Sequence, residues 1–120
     1  MDPLFIIPKE EKEFYTPERC HILELLNNED RTYSVARARV LPGVATAWHR
    51  LKHTSESYYI LQGEGLMEIG EAHSQQVSSG MLIKIPADQA QRITNTGTSD
   101  LLILCICVPA FGPDVYESLE

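Results

Sequence analysis

The sequence has few cysteines and no pattern that would join them. Cys20, Cys105 and Cys107 make an odd number, and no C-x-x-C pair occurs in the 120 residues. A small domain stapled by disulfides is therefore excluded, since such domains carry an even, closely spaced set. We expect free, buried thiols in one domain, because a chain of this length buries a core without a disulfide.

Long apolar runs are also missing. The longest, residues 101–110, falls far short of the roughly 20 residues that span a bilayer, so it predicts a buried strand. The first residues mix Asp2 and the charged stretch 9–13 with a short apolar patch at 4–7. Signal peptides have a basic start and a longer apolar core, so we expect a cytoplasmic protein.

The sequence also has few basic residues. Lysine and arginine together number 10 against 17 aspartates and glutamates, for a net charge of −7, and the basic residues are scattered. Attraction to nucleic-acid phosphates or to anionic lipid needs a basic cluster. The sequence therefore predicts neither a nucleic-acid partner nor a membrane partner.

The sequence contains little helical periodicity and many short segments rich in Val, Ile, Thr and Tyr, separated by Gly, Pro and Asn. This spacing is typical of an antiparallel all-β domain of the jelly-roll kind, with two sheets facing each other. Strands are predicted at 20–26, 31–41, 46–51, 56–62, 65–69, 75–77, 81–85, 91–95 and 101–108.

Three parts make up the predicted domain. Residues 1–30 form an N-terminal arm and first strand, 31–110 the barrel, and 111–120 a C-terminal tail. Pro3, Pro8 and Pro17 prevent a long helix in the arm, so we expect it to lie over the body or against a second subunit of a homodimer. The tail either packs back through Phe111 and Tyr116 or stays in solvent.

The stretch 42–65 gathers polar side chains inside a strand-like run. After the Pro42-Gly43 turn comes His49, and Glu56 follows a reversal at 52–55. Because side chains two apart share a face of a strand, Tyr58 lies on the same face as Glu56. Two antiparallel strands then bring His49 and Glu56 within reach of one ion.

A second frame runs from Gly80 through Pro86, Asp88 and Gln91 to Asn95. The two frames resemble the two motifs of the cupin superfamily over roughly residues 32–109. The first family motif is Gly, five residues, His-x-His, three or four residues, Glu, six residues, Gly. The second is Gly, five residues, Pro-x-Gly, two residues, His, three residues, Asn. The resemblance implies a double-stranded β-helix, or jelly-roll barrel, often dimeric and in small members labelled mannose-6-phosphate isomerase-like.

The resemblance also implies a metal held by three histidines and a glutamate. His49 matches the first histidine and Glu56 the glutamate, whereas Leu51 and Gln91 stand where the other two histidines would be. His49, Glu56 and Gln91 are thus the candidate ligands for Fe, Mn, Ni or Zn, although a glutamine oxygen is a weak ligand. The alternative is a hydrogen-bonded polar cluster at the bottom of a ligand pocket.

Two further residues are candidate catalytic groups. Tyr58 shares the face of Glu56 and could donate to substrate, or it packs. Lys84 lies among apolar residues: facing inward it could bind an anion or donate a proton, facing outward it reaches solvent. His53 falls in a turn, and His21 and His73 are expected at the surface.

Two functions remain open at this point. The first is a metal-dependent isomerase or dioxygenase-type enzyme acting on a small oxygenated substrate. The second is a non-catalytic barrel that binds a sugar or a carboxylate without metal. No G-x-S-x-G, phosphate-binding glycine loop or H-E-x-x-H competes with them.

Overall fold

Strands make up most of the chain. The computed structural model describes residues 3–120. After a single 3-10 turn at Glu10–Lys12, the strands are β1 Phe14–Tyr15, β2 His21–Asn27, β3 Ser34–Val40, β4 His49–Leu51, β5 Ser55–Gln62, β6 Glu64–Ile69, β7 His73–Ser78, β8 Leu82–Ile85, β9 Gln91–Asn95, β10 Leu101–Val108 and β11 Tyr116–Ser118.

The strands form two antiparallel sheets. One has six strands in the order β1-β2-β3-β10-β5-β8, and the other has five in the order β11-β4-β9-β6-β7. Consecutive strands pair at β1-β2-β3 and β6-β7, but other neighbours, such as β3 with β10 and β4 with β9, come from distant parts of the chain, as in jelly rolls. The predicted all-β jelly-roll fold is confirmed.

The predicted strands differ from the observed ones mainly at turns and edges. The segment 46–51 was expected to be one strand, but β4 begins only at His49. The reason is Thr46, whose hydroxyl accepts the backbone N–H of Ile93 at 3.0 Å. The sequence also predicts nothing at β1 and β11, because two or three residues are too few to show a period.

Alternating side chains build the core between the sheets. In β10, Leu101, Ile103, Cys105 and Cys107 are buried and point inward. Opposite them lie Met67 of β6 and Ile93 of β9, and the burial of such apolar side chains is the main stabilising contribution. All three cysteines are free and buried, as expected.

The segments at both ends contact the barrel. Glu13 in the arm accepts hydrogen bonds from Arg37 and Arg39 of β3. The tail packs back: Tyr116 lies in β11, which pairs with β4, and the backbone N–H of Phe111 donates to the Ser34 hydroxyl at 2.8 Å. Within residues 3–120 no helix is long and apolar enough to cross a membrane.

The turns of the two motifs use left-handed backbone. Gly43 has φ +80°, a conformation that costs glycine little. Asp88, at the position where the cupin motif has glycine, has φ 69°. Its carboxylate accepts the backbone N–H of His53 at 3.0 Å, and aspartate tolerates this region better than most residues. The sequence therefore keeps the turn with a different residue.

Candidate functional site

A cavity of about 320 Å³ opens between the two sheets, beside the segments that precede β2 and β11. Its wall is mostly apolar, with a few polar groups among the apolar side chains, the usual character of a small-molecule pocket. The lining residues are Phe14, Thr16, Pro17, Glu18, Ile22, Glu24, Asn27, Ser34, Val35, Ala36, His49, Leu51, Glu56, Tyr58, Cys105, Cys107, Phe111, Pro113 and Tyr116.

His49 lies on β4 with its ring buried. Its Nδ1 is 2.7 Å from the backbone oxygen of Ala47. A carbonyl oxygen only accepts hydrogen bonds, so Nδ1 carries the proton and donates it. In the neutral ring Nε2 is therefore an acceptor, and it lies 3.9 Å from a carboxylate oxygen of Glu18.

Glu56 lies across the cavity on β5, beside Cys107 of β10. Its Oε2 accepts the Cys107 thiol at 3.4 Å, and its Oε1 is buried without a partner in the part of the chain described. Burial, followed by the nearby Glu18 carboxylate, raises the pKa of Glu56 from 4.5 to about 7. The structure thus places an unsatisfied carboxyl oxygen in the cavity wall.

Tyr58 and Gln91 connect the two sheets. The Tyr58 hydroxyl on β5 donates to Gln91 Oε1 on β9 at 3.1 Å, and both side chains are buried. Gln91 is also the register partner of His49. The structure therefore brings His49, Gln91 and Tyr58 together, although Gln91 is not among the lining residues. Burial raises the pKa of Tyr58 well above its usual value, so its proton stays on the hydroxyl.

The donor set fits a resident transition metal poorly. Leu51 is buried at a position where the cupin motif has a histidine, and the Gln91 oxygen already accepts the Tyr58 proton. The raised pKa of Glu56 weakens it as an anionic ligand. Among residues 3–120, no group of three or more His, Cys, Asp or Glu side chains could hold an ion. One imidazole and two carboxyls whose pKa values are raised do not make a stable site.

The two thiols in the wall are not activated. Burial raises the pKa of both Cys105 and Cys107, and the Glu56 carboxylate raises them further. Only the thiolate attacks or binds metal, and no lysine or arginine lies in the cavity wall to stabilise it. Cys105 and Cys107 therefore act as packing groups, with Cys107 also donating to Glu56.

Lys84 does not belong to this cavity. It is exposed on β8, between the inward-facing Ile83 and Ile85, and it lines a separate hollow that also includes His73. Of the two orientations expected for Lys84, the structure shows the outward one, because the pleat turns the side chain away from the core. The catalytic role proposed for it stays a prediction. His53 is likewise exposed, in the turn after β4.

Glu18 is a wall residue that sequence reasoning missed. It lies between β1 and β2, where Arg19 has φ 72° and its N–H donates to the Thr16 oxygen. The backbone oxygen of Glu18 accepts the N–H of Ala47, which fixes the segment beside β4. Burial raises the pKa of Glu18, and His49 opposes the shift. No local pattern in the sequence distinguishes Glu18 from the other acids of the arm.

The cavity mouth is built by both ends of the chain. Phe14 comes from β1, and Phe111 and Tyr116 come from the tail. The Tyr116 ring stacks on His49 with centroids 5.2 Å apart. Arg19 and Glu120 join the two ends through a pair of hydrogen bonds, each 3.0 Å. Glu18 and Tyr116 therefore reach the site only through tertiary contacts.

Sequence comparison identifies relatives that cover most of the chain. An uncharacterised protein of Methanocaldococcus jannaschii is 34% identical over 112 residues, which is 91% of this chain and 89% of the relative. A protein of Thermotoga maritima named oxalate-binding protein is 29% identical over 93 residues, covering 76% of this chain and 74% of that protein.

Solved structures share the fold at lower identity. KdgF from a Halomonas species superposes with a TM-score of 0.80 at 15% identity, covering 94% of this chain and 98% of the other. A double-stranded β-helix protein of Klebsiella pneumoniae gives 0.77 at 16%, with 92% and 93% covered. A predicted oxalate decarboxylase of Thermotoga maritima gives 0.73 at 24%, with 87% and 93% covered. The cupin domain family matches residues 36–107, and the chain belongs to that family.

Proposed function

We propose that this chain is a small-molecule-binding cupin barrel that takes its ligand without a resident metal ion and without a chemical step. The observation that carries the proposal is Glu56 Oε1, a buried acceptor in the wall of a cavity of about 320 Å³ that has no hydrogen-bond partner within residues 3–120. A buried polar atom without a partner is costly, so a ligand that donates to it gains affinity.

The relative named oxalate-binding protein supports a binding role, because its name describes binding and it shares 29% identity over most of this chain. Sugars and carboxylates are the ligand classes expected from the sequence. The mannose-6-phosphate isomerase-like subtype and the cytoplasmic location stay predictions.

A metal-dependent isomerase or dioxygenase-type enzyme is the second candidate. One observation favours it: His49 donates Nδ1–H to a backbone carbonyl, which leaves Nε2 free, and metal-binding histidines are commonly held this way. His49, Glu56 and Gln91 would be the residues nearest such an ion.

Elemental analysis separates the two candidates. Protein purified without a histidine tag is measured before and after incubation with Fe(II), Mn(II), Ni(II) or Zn(II), together with a His49→Ala variant. Binding without metal predicts no stoichiometric ion in any sample. One ion per chain in the wild type, absent from His49→Ala but present in a Lys84→Ala control, would overturn the proposal.

A further inference from the structure

The cavity wall is rich in hydrogen-bond acceptors. His49 Nε2 accepts in the neutral ring because Nδ1 donates to Ala47. Glu56 Oε1 is buried without a partner, and the Glu18 carboxylate lies 3.9 Å from the imidazole. Glu24 adds a third carboxylate to the wall. Each of these groups can be satisfied by a ligand that donates protons.

The donors in the same wall are mostly engaged within the protein. The Thr16 hydroxyl donates to the Cys20 oxygen, and the Asn27 amide donates to the Phe111 oxygen at 2.8 Å. Tyr58 donates to Gln91, and the Cys107 thiol donates to Glu56. The Ser34 hydroxyl accepts the Phe111 N–H and can still donate, and Tyr116 brings a second hydroxyl to the wall. A carboxylate would therefore find hydroxyl donors but no lysine or arginine among the wall residues described.

Charge points the same way. The lining residues include Glu18, Glu24 and Glu56 and no lysine or arginine. Two arginines lie within a few residues of wall residues along the chain, and each forms an ion pair elsewhere: Arg19 with Glu120 and Arg31 with Asp114. Burial disfavours the ionised forms of Glu18 and Glu56, so a cation entering this partly enclosed, mostly apolar space would stabilise them, whereas an anion would disfavour them further.

The rest of the wall suits a compact apolar group. Phe14, Phe111 and Tyr116 contribute aromatic rings at the mouth, and Ile22 and Leu51 contribute aliphatic surface. Aromatic faces attract cations as well as apolar groups. An organic ammonium offers several N–H donors, a positive charge and an apolar body, and so matches the acceptors, the carboxylates and the rings together.

We infer that the cavity binds a primary amine with a compact apolar body, as its ammonium form, between Glu18, His49 and Glu56. The inference rests on the proposed function, for which it names the ligand class. It departs from the sugar or carboxylate expected from the sequence: the wall residues described include three glutamates and no lysine or arginine to pair with a carboxylate.

Three probes of one shape and different charge test the inference: benzylamine, benzyl alcohol and benzoate. Each is titrated into the isotope-labelled protein while backbone amide shifts are followed by NMR. Benzylamine is expected to shift amides in the β4, β5 and β11 segments and to bind at least about tenfold tighter than benzyl alcohol, with benzoate silent. If benzyl alcohol binds as tightly as benzylamine, or benzoate binds more tightly, the cavity does not prefer an amine. That result would contradict the inference but not the proposal that the barrel binds a ligand without metal.

Glu18→Gln is the matched variant, because the Glu18 side chain is 20% exposed and glutamine keeps its shape while removing its charge. It should weaken benzylamine by about threefold to tenfold and leave benzyl alcohol unchanged, since a charge–charge contact is removed. Glu71→Gln makes the same charge change on an exposed residue outside the wall and should alter neither. If none of the three probes shifts any amide, the amine inference is also rejected. The proposed function is tested separately, by the metal content of the protein.

Discussion

Glu56 lies in an environment very different from that of a free side chain. It is 8% exposed, lies near Glu18 and has one oxygen without a partner within residues 3–120. Burial and the Glu18 carboxylate make ionisation of Glu56 costly in the folded state. This cost arises in the wall of the cavity, and groups with strongly shifted pKa values are often found at functional positions.

The first prediction at this scale concerns Glu56→Gln. The folded pKa of Glu56 is about 7 against 4.5 in the free side chain, so the folded state binds more protons between these values. The free energy of unfolding of the wild type should therefore fall as pH rises through this window, and stay lower above it. The glutamine variant should lack this fall and be more stable than the wild type at about pH 8, by on the order of 2 kcal/mol.

Urea unfolding at a series of pH values measures the effect. Glu71→Gln is the control, because an exposed carboxyl experiences similar surroundings in both states. Parallel pH profiles for the wild type and Glu56→Gln would contradict the prediction.

The arm is the element that depends most on charged contacts. Glu13 lies 2.6 Å from Arg39 and 3.0 Å from Arg37, both on β3, and the Glu13 side chain is mostly buried. Glu10 adds a second carboxylate on Arg37. These contacts connect residues 10–13 to β3 of the six-stranded sheet, a strand that also lines the cavity. Apolar packing contributes little here, since the arm's large apolar side chains are exposed.

The second prediction is that Glu13→Gln lowers the free energy of unfolding by about 1–2 kcal/mol at neutral pH, because charge-assisted hydrogen bonds are lost. Hydrogen bonds from Arg39 lower the pKa of Glu13 from 4.5 to about 2, against an opposing effect of burial. A lowered carboxyl pKa stabilises the fold above the unfolded value, and this contribution disappears as pH falls from 4.5 towards 2.

Thermal or urea unfolding at neutral and acid pH measures this difference. The wild type and Glu13→Gln should differ most near neutral pH and converge in acid. Glu11→Gln, on the exposed neighbour, should leave stability unchanged. A difference that persists undiminished at the lowest pH would contradict the ionic origin of the contact.

Several large apolar side chains are exposed in the part of the chain that the structure describes. Leu4, Phe5 and Ile7 in the arm are each more than four-fifths exposed. Tyr59 and Leu82, on the outer face of the six-stranded sheet, are also exposed. Patches of this kind usually mark an interface. We propose that a second copy covers them, since each copy supplies both an arm and a sheet face, as a two-fold dimer requires.

The third prediction follows from this arrangement. Light scattering after size exclusion should give twice the chain mass of 13.5 kDa at micromolar concentration. Replacing Leu4, Phe5 and Ile7 by serine should yield the monomer, because the apolar contact is removed. Leu119→Ser, which changes an exposed apolar residue in the tail, should leave the dimer intact. A wild-type monomer at that concentration would refute the proposed interface.

Much of the fold could be predicted from local patterns. The alternation of β10 and the Gly-to-Gly spacing around His49 and Glu56 are short-range features, so the strands and the two cupin motifs were recognisable. The pairing of Tyr58 with Gln91 was not, because it joins residues 33 positions apart on different sheets. Successive residues of a strand face opposite sides of the sheet, so the orientation of Lys84 depends on which side faces the core. Lys84 has apolar neighbours on both sides in the sequence, and these do not specify that side.

By itself the sequence determined an all-β fold with a histidine, a glutamate and a glutamine at the motif positions. Only the tertiary structure decided the character of the cavity, because its wall combines segments from both ends of the chain with the barrel interior. Glu18 comes from before β2 and Tyr116 from the tail, and both lie beside His49. Their positions follow from long-range packing and backbone contacts, which leave no periodic trace in the sequence.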